Sequence, residues 1–570
     1  MNETLLSPGT SLRENDTSLI QSAPAEYGAA IIGPTSKGPV EIPTKVTSFS
    51  EYTAYFGSTV ESGSNVYSYL TSIAVNNYFQ NGGSSILVTR VTSGTFSPAV
   101  SQDLENISGS VPFELETISE GEIMNNSGSE TGNGSLLSGS SDNIRWEVSD
   151  SDSSTGTFNL LIRRGNDNNN QKVILESYNN LSLDPYESNF ITKVIGDLDK
   201  NIITNGAGET YIKEEGAYPN ISRYVRVKQV NTPTPNYFDN SGNPKTEFTS
   251  SLPQIGSGSF SGAQGSNIPN TGTANFYQNI NTTTQGLESS DYDKAIALLN
   301  NQDEFQFNTI IAPGLINEFH SSQITSLTNL ATSRGDCLAV IDLAPYGSEV
   351  TQATQEASGF DSSYAASYWP WLQTIDPNTG QLVYIPASTM IPGVYAFNDS
   401  SSEPWFAPAG IARGGLGQVT RAERKLTSSQ RDTLYTSNIN PIATFPNSGV
   451  VVYGQKTLQK ANTALDRVNV RRLLIELKEY IGQIANNLVF EPNSAATRNN
   501  FLSQVNPYLE SIQQRQGLYA FRAIMDDTNN SPDVIDRNEL IGQIQLQPTK
   551  TSEFVILDFG INPTGAEFGQ

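Results

Sequence analysis

The sequence predicts a multidomain protein of combined α/β and α+β class, in which a β-rich domain interrupts an α/β body. Strand and helix signals alternate in residues 27–100 and again in residues 291–420. Between them the composition changes to Gly, Ser, Asn and Thr, with short runs of alternating polar and apolar residues. Because alternating strands and helices favour a largely parallel sheet covered by helices, we expect the two flanking regions to form one body. A chain of 570 residues is also too long for a single ordinary core.

The body is predicted to comprise residues 21–100 and 286–420, preceded by a polar N-terminal arm of residues 1–20. "YGAAIIGP" predicts a strand that stops at Gly-Pro, and "SFSEYTAYFG" and "LTSIAVNNYFQNGG" predict helices that stop at glycine. "SSILVTRV", "FNTIIAPG" and "DCLAVIDLAP" predict further strands, and "DYDKAIALLN" and "ITSLTNLATSRG" predict further helices.

Residues 101–285 are predicted to be an inserted β-rich outer domain. "IRWEVSD", "TFNLLIRR" and "RYVRVKQV" alternate with period two, which indicates antiparallel strands joined by long loops. A partly disordered linker is the alternative for residues 120–143 and 255–275, but it does not fit the strands between them.

Residues 421–570 are predicted to form a C-terminal domain of two helices and a small sheet. The first helix carries an apolar stripe at spacings of three and four residues. The stripe consists of Val470, Leu473, Leu474, Leu477, Ile481, Ile484 and Leu488. A second helix is expected up to Gly517, with a kink at Pro507, and "LYAFRAIM", "LIGQIQLQP" and "EFVILDFGI" are strand-like.

The net charge of −25 is unevenly distributed along the chain. Residues 421–522 carry 13 Lys and Arg against 7 Asp and Glu, so this part is basic within an acidic protein. Arg467, Arg471 and Lys478 fall on one face of the first C-terminal helix, away from the stripe. Such a face is either ordinarily solvated or meets an acidic partner, and the overall acidity argues against nucleic-acid binding.

Few residues are available for catalysis, since the chain has one cysteine and one histidine. This excludes a disulfide framework and a zinc site built from Cys and His. Cys337 lies in a run that predicts a buried strand, and His320 is expected at the surface or at a helix cap. An enzyme that uses only Asp and Glu, such as a glycoside hydrolase, stays open.

No stretch approaches the roughly 18 consecutive apolar residues of a membrane-spanning helix, and no N-terminal segment resembles a signal peptide. We therefore expect a soluble protein without membrane insertion, made in a cytoplasm. The glycine-rich stretch "PWFAPAGIARGGL", residues 404–416, lacks the Gly-Lys-Ser/Thr ending of a phosphate-binding loop.

Several stretches resemble the contractile tail sheath proteins of bacteriophages. "AAIIGPTSKGPVEIPTKVTSFSEYTAYFG" and "AVNNYFQNGGSSILVTRV" resemble the N-terminal α/β segment of that family. "NVRRLLIELKEYI", "VFEPN" and "GLYAFRAIMDDTNN" resemble its C-terminal domain, and "PWFAPAGIARGGL" resembles the stretch that precedes it. The resemblance covers roughly residues 27–95 and 404–562. "TSEF" departs from the Pro-Ala-Glu-Phe run of many members.

The resemblance implies a structural subunit without enzymatic activity or cofactor. In this family six copies form a ring around a tail tube, rings stack into a helical sleeve, and the sleeve contracts to drive the tube through a host envelope. The implied partners are further copies of the chain, the tail tube protein, and baseplate and tail terminator proteins. The implied location is the virion tail, with host cytoplasm during assembly.

Three expectations about sites follow from the resemblance. The C-terminal domain faces the tube, with Arg467, Arg471 and Lys478 as tube-facing residues. Residues 404–416 join the body to this domain. The two chain ends exchange strands between neighbouring subunits through the apolar residues Leu19, Ile20, Phe554, Val555, Ile556 and Leu557. Pairing of residues 553–561 with "LIGQIQLQP" of the same subunit is the alternative.

Other functions remain open on the sequence alone. A sheath can belong to a phage-like contractile injection system instead of a phage. Besides the glycoside hydrolase, a host-binding surface protein is a further alternative, since the inserted domain suits such a role.

Overall fold

An eight-stranded sheet, built from separate stretches of the chain, organises the protein. The computed structural model describes residues 28–62, 65–206, 208–266 and 276–553. The predicted interface residues Leu19, Ile20 and 554–557 lie outside these described residues. The first stretch forms β1 (Ala29–Gly33), β2 (Thr44–Val46), α1 (Phe49–Phe56), β3 (Val60–Ser62), β4 (Asn65–Tyr67), α2 (Leu70–Gln80) and β5 (Ile86–Arg90).

Local sequence explains these elements. All five residues of β1 are buried, as expected for a parallel strand covered on both faces. Helix α1 begins at Ser48, whose side chain accepts a hydrogen bond from the Glu51 N–H at 3.1 Å. It ends at Gly57, which has a positive φ of 73°.

The middle of the chain forms antiparallel sheets. Its elements are β6 (Pro98–Ser101), β7 (Phe113–Glu120), β8 (Ile144–Asp152), β9 (Thr157–Arg164), β10 (Ile174–Ser182), α3 (Ile191–Ile195), β11 (Asp199–Thr204), β12 (Thr210–Glu215), β13 (Val225–Val230), α4 (Thr246–Thr249), β14 (Gly256–Gly258) and β15 (Phe260–Ser261). We call residues 98–266 the insert.

Two four-stranded sheets share the core of the insert, with strand orders β13-β7-β6-β15 and β10-β9-β8-β14. Phe113 of one sheet stacks on Phe158 of the other, with 5.4 Å between ring centroids. Met124 and Leu136 are also buried, so residues 120–143 contribute to a packed domain and are not a linker.

The chain then returns to the large sheet. This part forms α5 (Asp293–Leu298), β16 (Thr309–Ile316), α6 (Asn317–Arg334), β17 (Leu338–Asp342), α7 (Val350–Ala357), β18 (Ala365–Trp369), β19 (Leu372–Ile375), β20 (Leu382–Ile385), α8 (Ile391–Ser401), α9 (Gly410–Arg413), β21 (Val419–Ala422), α10 (Ser428–Thr436), β22 (Asn440–Phe445) and β23 (Gly449–Val452).

The large sheet has the order β2-β5-β1-β16-β17-β18-β22-β23. Its six inner strands are parallel, and the two edge strands are antiparallel to their neighbours. Alternate residues of β1 pack in two different hydrophobic clusters. Ile31 belongs to one cluster, and Ala30 and Ile32 belong to the other. Because successive side chains of a strand point to opposite faces, the sheet has a core on each face. The predicted parallel α/β body is confirmed.

Two predicted domain boundaries need correction. The body is predicted to end at residue 420, but α10, β22 and β23 belong to it, since Trp369 of β18 pairs in parallel with Pro441 of β22. The inserted domain is predicted to end at residue 285, but Phe276 and Tyr277 already pack in the body core. Short apolar runs do not reveal which sheet they join, because pairing between distant strands decides it.

Helices and a hairpin form the C-terminal domain. Its elements are α11 (Val468–Asn486), α12 (Ala495–Gln514), β24 (Leu518–Ile524), α13 (Pro532–Asp536) and β25 (Gln543–Pro548). The predicted stripe packs in a separate core with Leu473, Leu477 and Ile484 buried, and α12 continues across Pro507. None of the helices in the described part of the chain is long and apolar enough to cross a membrane.

His320 is buried rather than at the surface, with 8% of its area exposed. Its Nδ1 accepts a hydrogen bond from the Ile316 N–H at 3.0 Å, and Nε2 lies 3.0 Å from the Ile280 carbonyl oxygen. Burial lowers the pKa of His320, so the ring is neutral and donates from Nε2. With both nitrogens occupied by backbone groups, His320 ties the start of α6 to residue 280 and is not placed to act as a base.

Candidate functional site: the joint between body and C-terminal domain

The stretch 404–416 connects the core of the body to the core of the C-terminal domain. Trp405 is buried in the C-terminal core, and its Nε1 donates to the Arg515 carbonyl at 3.1 Å. Leu416 is buried in the body core, and its N–H donates to the Val450 carbonyl at 3.0 Å. Two cores are therefore anchored by residues only a short distance apart in the chain.

Glycines allow this stretch to approach the sheet closely. The Gly414 carbonyl accepts a hydrogen bond from the Val452 N–H at 2.8 Å. A Cβ at position 414 would lie 2.7 Å from the Val452 carbonyl oxygen, which is closer than real Cβ atoms come. Gly410 has a φ of 81°, in the region that favours glycine. The close approach expected from the glycines is present at Gly414.

Two basic side chains of α11 pack on one tyrosine of the body. The Arg471 guanidinium lies 3.9 Å from the centroid of the Tyr364 ring, and its Nε donates to the Ser363 carbonyl at 3.2 Å. Lys478 Nζ donates to the Tyr364 hydroxyl at 2.9 Å and to the Gly335 carbonyl at 3.3 Å. These contacts hold the polar face of α11 against the body by cation–π attraction and hydrogen bonds.

Arg472, the next residue, makes a second contact of this type. Its guanidinium lies 4.6 Å from the ring centroid of Tyr395 in α8 and forms an ion pair with Asp399. Both partners come from the body, so α11 is fixed at two positions around its circumference.

The start of α11 holds the end of the described chain. Arg467 forms a two-pronged ion pair with Glu553, through Nε at 2.6 Å and Nη2 at 3.0 Å. The Tyr435 hydroxyl donates to the same carboxylate at 2.8 Å, and Gln455 Nε2 donates to it at 3.2 Å. Burial acts to raise the pKa of Glu553, but the hydrogen bonds from Arg467 and Tyr435 outweigh it and hold the pKa below its ordinary value.

The residues predicted to face a tube therefore contact their own chain. Arg467 pairs with Glu553, while Arg471 and Lys478 meet Tyr364. The expectation of an ordinary solvated face is wrong for Arg471, of which 3% is exposed. The physical reason is that a guanidinium binds an aromatic face and a backbone carbonyl at the same time. The tube-facing role of the three residues stays a prediction.

Arg472, Tyr364 and Glu553 also belong to this joint, and the sequence does not predict them. Their partners lie far away in the chain, and no local pattern indicates them. Within the described residues, no group of three or more His, Cys, Asp and Glu side chains is arranged to hold a metal ion.

Two family models match the part of the chain that contains this joint. The phage tail sheath protein central domain matches residues 285–458, and the phage tail sheath C-terminal domain matches residues 460–562. The division between them falls just before α11, where the structure separates body from C-terminal domain. Residues 285–562 thus match the central and C-terminal domains of contractile phage tail sheath proteins.

Curated relatives agree with these matches. The chain is 37% identical over 219 residues to the tail sheath protein of Vibrio phage KVP40, which is 38% of this chain and 33% of the relative. It is 34% identical over 232 residues to that of Enterobacteria phage T4, which is 41% of this chain and 35% of the relative. The matches thus span about a third of the length of these relatives.

Solved structures share the fold over nearly the whole chain. One is the helical sheath of the anti-feeding prophage in its contracted state, with a TM-score of 0.51, 16% identity, and coverage of 97% of this chain and 98% of that chain. Another is the sheath tail protein Lin1278 from Listeria innocua, with a TM-score of 0.51, 9% identity, and coverage of 92% and 95%. These likenesses support the mixed α/β multidomain fold.

Proposed function

We propose that this chain is the subunit of a contractile sheath, which polymerises around a tail tube and shortens to drive the tube through a host envelope. The observation that carries the proposal is the pair of sheath family matches, which follow one another over residues 285–562. They include five of the eight strands of the body sheet, the joint and the C-terminal domain. Contraction then needs no cofactor, because rearranged contacts between subunits release the energy stored during assembly.

In this proposal six copies form each ring and the rings stack into a helix. A contact that does not close on itself generates such an open assembly. The tail tube protein lies inside, and baseplate and tail terminator proteins lie at the two ends. A phage-like injection system is the alternative setting. The sheath would be part of the tail of the particle and would be assembled in host cytoplasm.

The division into cores suggests a role for each part. The insert has its own core, so it can occupy the outer surface without contributing to the lattice. The C-terminal domain is then the inner, polymerising part. Lys478 is the most exposed of its three predicted tube-facing residues, whereas 25% of the Arg467 side chain is exposed and Arg471 is buried.

The hairpin β24–β25 is suited to receive strands from other subunits. Among the described residues this sheet has two strands, each with an unpaired edge, and a two-stranded sheet is marginal on its own. We propose that Leu19 and Ile20 of one neighbour and residues 554–557 of another extend it. Main-chain hydrogen bonds would link the subunits with little dependence on side-chain identity.

Polymerisation is tested by negative-stain electron microscopy of the purified protein, alone and with its tube protein. We expect rings or long sleeves. A chain that stays monomeric under both conditions would contradict the proposal. Deletion of residues 1–20 tests the N-terminal strand: the variant should melt like the wild type but form no sleeves, and normal sleeves would show that this arm is not needed.

A further inference from the structure

One hairpin of the insert lies on the body instead of joining the sheets of the insert. Among the described residues, its strands β11 and β12 pair with each other alone, with Ile202 opposite Ile212. Both isoleucines are half-buried and pack against the body core that contains Ile296 and Leu299. We call the strands β11 and β12 the strap.

The strap depends on the body for its order. A two-stranded sheet is marginal on its own, so burial of Ile202 and Ile212 against the body is what stabilises it. Beside these two side chains, an open groove of about 900 Å³ runs between Thr210 of the strap and the polar residues Asn300 of α5 and Ser326 of α6. Detachment of the strap would therefore expose two isoleucines and break no pairing with the two four-stranded sheets of the insert.

A cluster of charged side chains lies where the strap begins. Asp199, the first residue of β11, pairs with Arg226 Nη1 of β13 at 2.8 Å, and Arg226 Nη2 pairs with Glu116 of β7 at 2.5 Å. Glu120 of β7 lines the same cleft, which has a volume of about 860 Å³ and is bounded on the body side by Pro43. One guanidinium therefore serves two carboxylates, and a third carboxyl group lies in the same cleft.

The charge of Glu120 bears on the closure of the strap. Burial raises the pKa of Glu120 to about 7, with Asp199 and Glu116 acting in the same direction and Arg90 of β5 and Arg226 acting against it. Ionised Glu120 repels Asp199 and competes with it for Arg226. The other charged residues that line the cleft are Lys45, Asp197, Lys200, Glu215 and Lys228.

The sign of the effect follows from linkage. Opening of the strap removes Asp199 from the cleft and admits water, so the pKa of Glu120 falls back toward its ordinary 4.5. The closed strap therefore binds the proton more tightly than the open one. The contribution of Glu120 to closure is complete below pH 4.5 and is lost as the pH rises through 7.

We propose that the strap is a pH-sensitive latch, which holds the insert against the body while Glu120 is neutral and releases it when Glu120 is charged. The core of the insert is formed by other residues, so the insert changes its position on the body without unfolding. The contacts of Arg90 and Lys37 with backbone carbonyls of the insert remain as the pivot. This latch does not depend on the proposed sheath function.

A distance measurement on the full-length protein tests the latch. Spin labels are placed at Lys213→Cys on β12 and at Thr325→Cys on α6, both exposed, while the one native cysteine, Cys337, is buried. We expect one narrow distance at about pH 5 and a second, longer distance at about pH 8.5. The ratio of long to short distances should rise about tenfold, as when opening lowers the pKa of Glu120 by about one unit. An identical distribution at both pH values overturns the proposal, and this comparison needs no further substitution.

Two variants in this labelled background separate the apolar contact from the trigger. Ile212→Ala removes half of the apolar contact and should give the long distance at both pH values. Tyr211→Ala is the matched control, since Tyr211 is the preceding residue of the same strand and is 43% exposed, and it should behave as the wild type does.

Glu120→Gln removes the titrating group and should give the single narrow distance at both pH values. Circular dichroism checks that each variant is folded. A distribution in Ile212→Ala equal to that of the wild type overturns the role of the isoleucines, and a pH response that persists in Glu120→Gln overturns Glu120 as the trigger.

Discussion

The body meets the C-terminal domain at one junction and the insert at another. Both junctions contain buried cations, but these cations contact different kinds of groups. At the C-terminal joint, Arg471 and Arg472 lie on tyrosine rings, and Arg467 shares hydrogen bonds with Glu553. At the junction with the insert, Arg90 Nη1 donates to the backbone carbonyl of Glu120 at 2.9 Å, and Lys37 Nζ donates to that of Asp142 at 3.1 Å. The carboxylates of the insert junction receive weaker compensation for burial.

The pKa directions express this difference. Burial raises the pKa of Glu120 from 4.5 to about 7, although Arg90 and Arg226 act in the opposite direction. The pKa of Asp142 is also raised by burial, and that of Lys37 is lowered by burial. The pKa of Glu553 lies below its ordinary value. The Arg467–Glu553 pair therefore stabilises the C-terminal joint at neutral pH, whereas burial of Glu120, Asp142 and Lys37 weakens the junction with the insert.

The largest effect is expected from Trp405→Ala, which removes the apolar anchor of the C-terminal joint. The ring is 4% exposed and packs in the C-terminal core, so its loss should lower the free energy of unfolding of that domain by about 3–5 kcal/mol. Denaturant unfolding measures this change. Tyr519→Ala is the control, since Tyr519 is an aromatic residue of the same domain that is 61% exposed. Equal effects of both substitutions would mean that Trp405 does not anchor the joint.

The dependence of stability on pH tests the difference between the two junctions at the insert. The folded pKa of Glu120, about 7, lies above its ordinary 4.5, so the folded protein holds a proton that the unfolded chain releases. The stabilising contribution is complete below pH 4.5 and is lost as the pH rises through 7. Arg90, Arg226, Glu116 and Asp199 surround this carboxyl group.

Glu120→Gln should therefore raise the free energy of unfolding of the insert at pH 8 by about 1–3 kcal/mol and flatten its dependence on pH between 5 and 8. Thermal melts at a set of pH values measure both changes. Unchanged pH dependence in the variant would assign the titration to another group.

Substitutions at Arg471 distinguish a contact between domains from a contact with the tube. Because its guanidinium packs on Tyr364 and is buried, Arg471→Ala should destabilise the isolated monomer by about 1–3 kcal/mol. Arg537→Ala, in an exposed ion pair of the same domain, is the control and should leave stability unchanged. If Arg471→Glu and Lys478→Glu leave the monomer unchanged but impair assembly on tubes, the predicted tube-facing surface is right and the interdomain account of these residues is wrong.

The smallest effect, on sleeve formation, is expected when only the residues of the insert are removed. Replacement of residues 98–266 by a Gly/Ser linker should leave sleeve formation intact, because the insert has its own core. Deletion of 98–285 is the informative comparison, since it also removes Phe276, Tyr277 and Ile280 from the body core and should destabilise the body. A folded 98–266 variant that does not polymerise would place the insert in the lattice.

Periodic features of this protein could be predicted, while contacts between distant residues could not. The stripe on α11 follows from apolar residues at spacings of three and four, and the parallel body follows from alternating strands and helices. The burial of His320 depends on the carbonyl of Ile280, 40 positions away. The two-pronged ion pair of Arg467 is made with Glu553, 86 positions away. Contacts between residues so far apart in the chain leave no local pattern in the sequence. The sequence therefore predicts a basic face on α11, whereas the structure has a packed joint there.

A high-resolution electron cryomicroscopy reconstruction of the assembled wild-type polymer tests the central claim most directly. The account predicts a helical sleeve with C-terminal domains on the inside, Arg471 on Tyr364 and Glu553 on Arg467 within each subunit, and residues 554–561 paired with a neighbour. A sleeve in which residues 554–561 pair with β25 of their own subunit, or the absence of any polymer with or without tube protein, would contradict it.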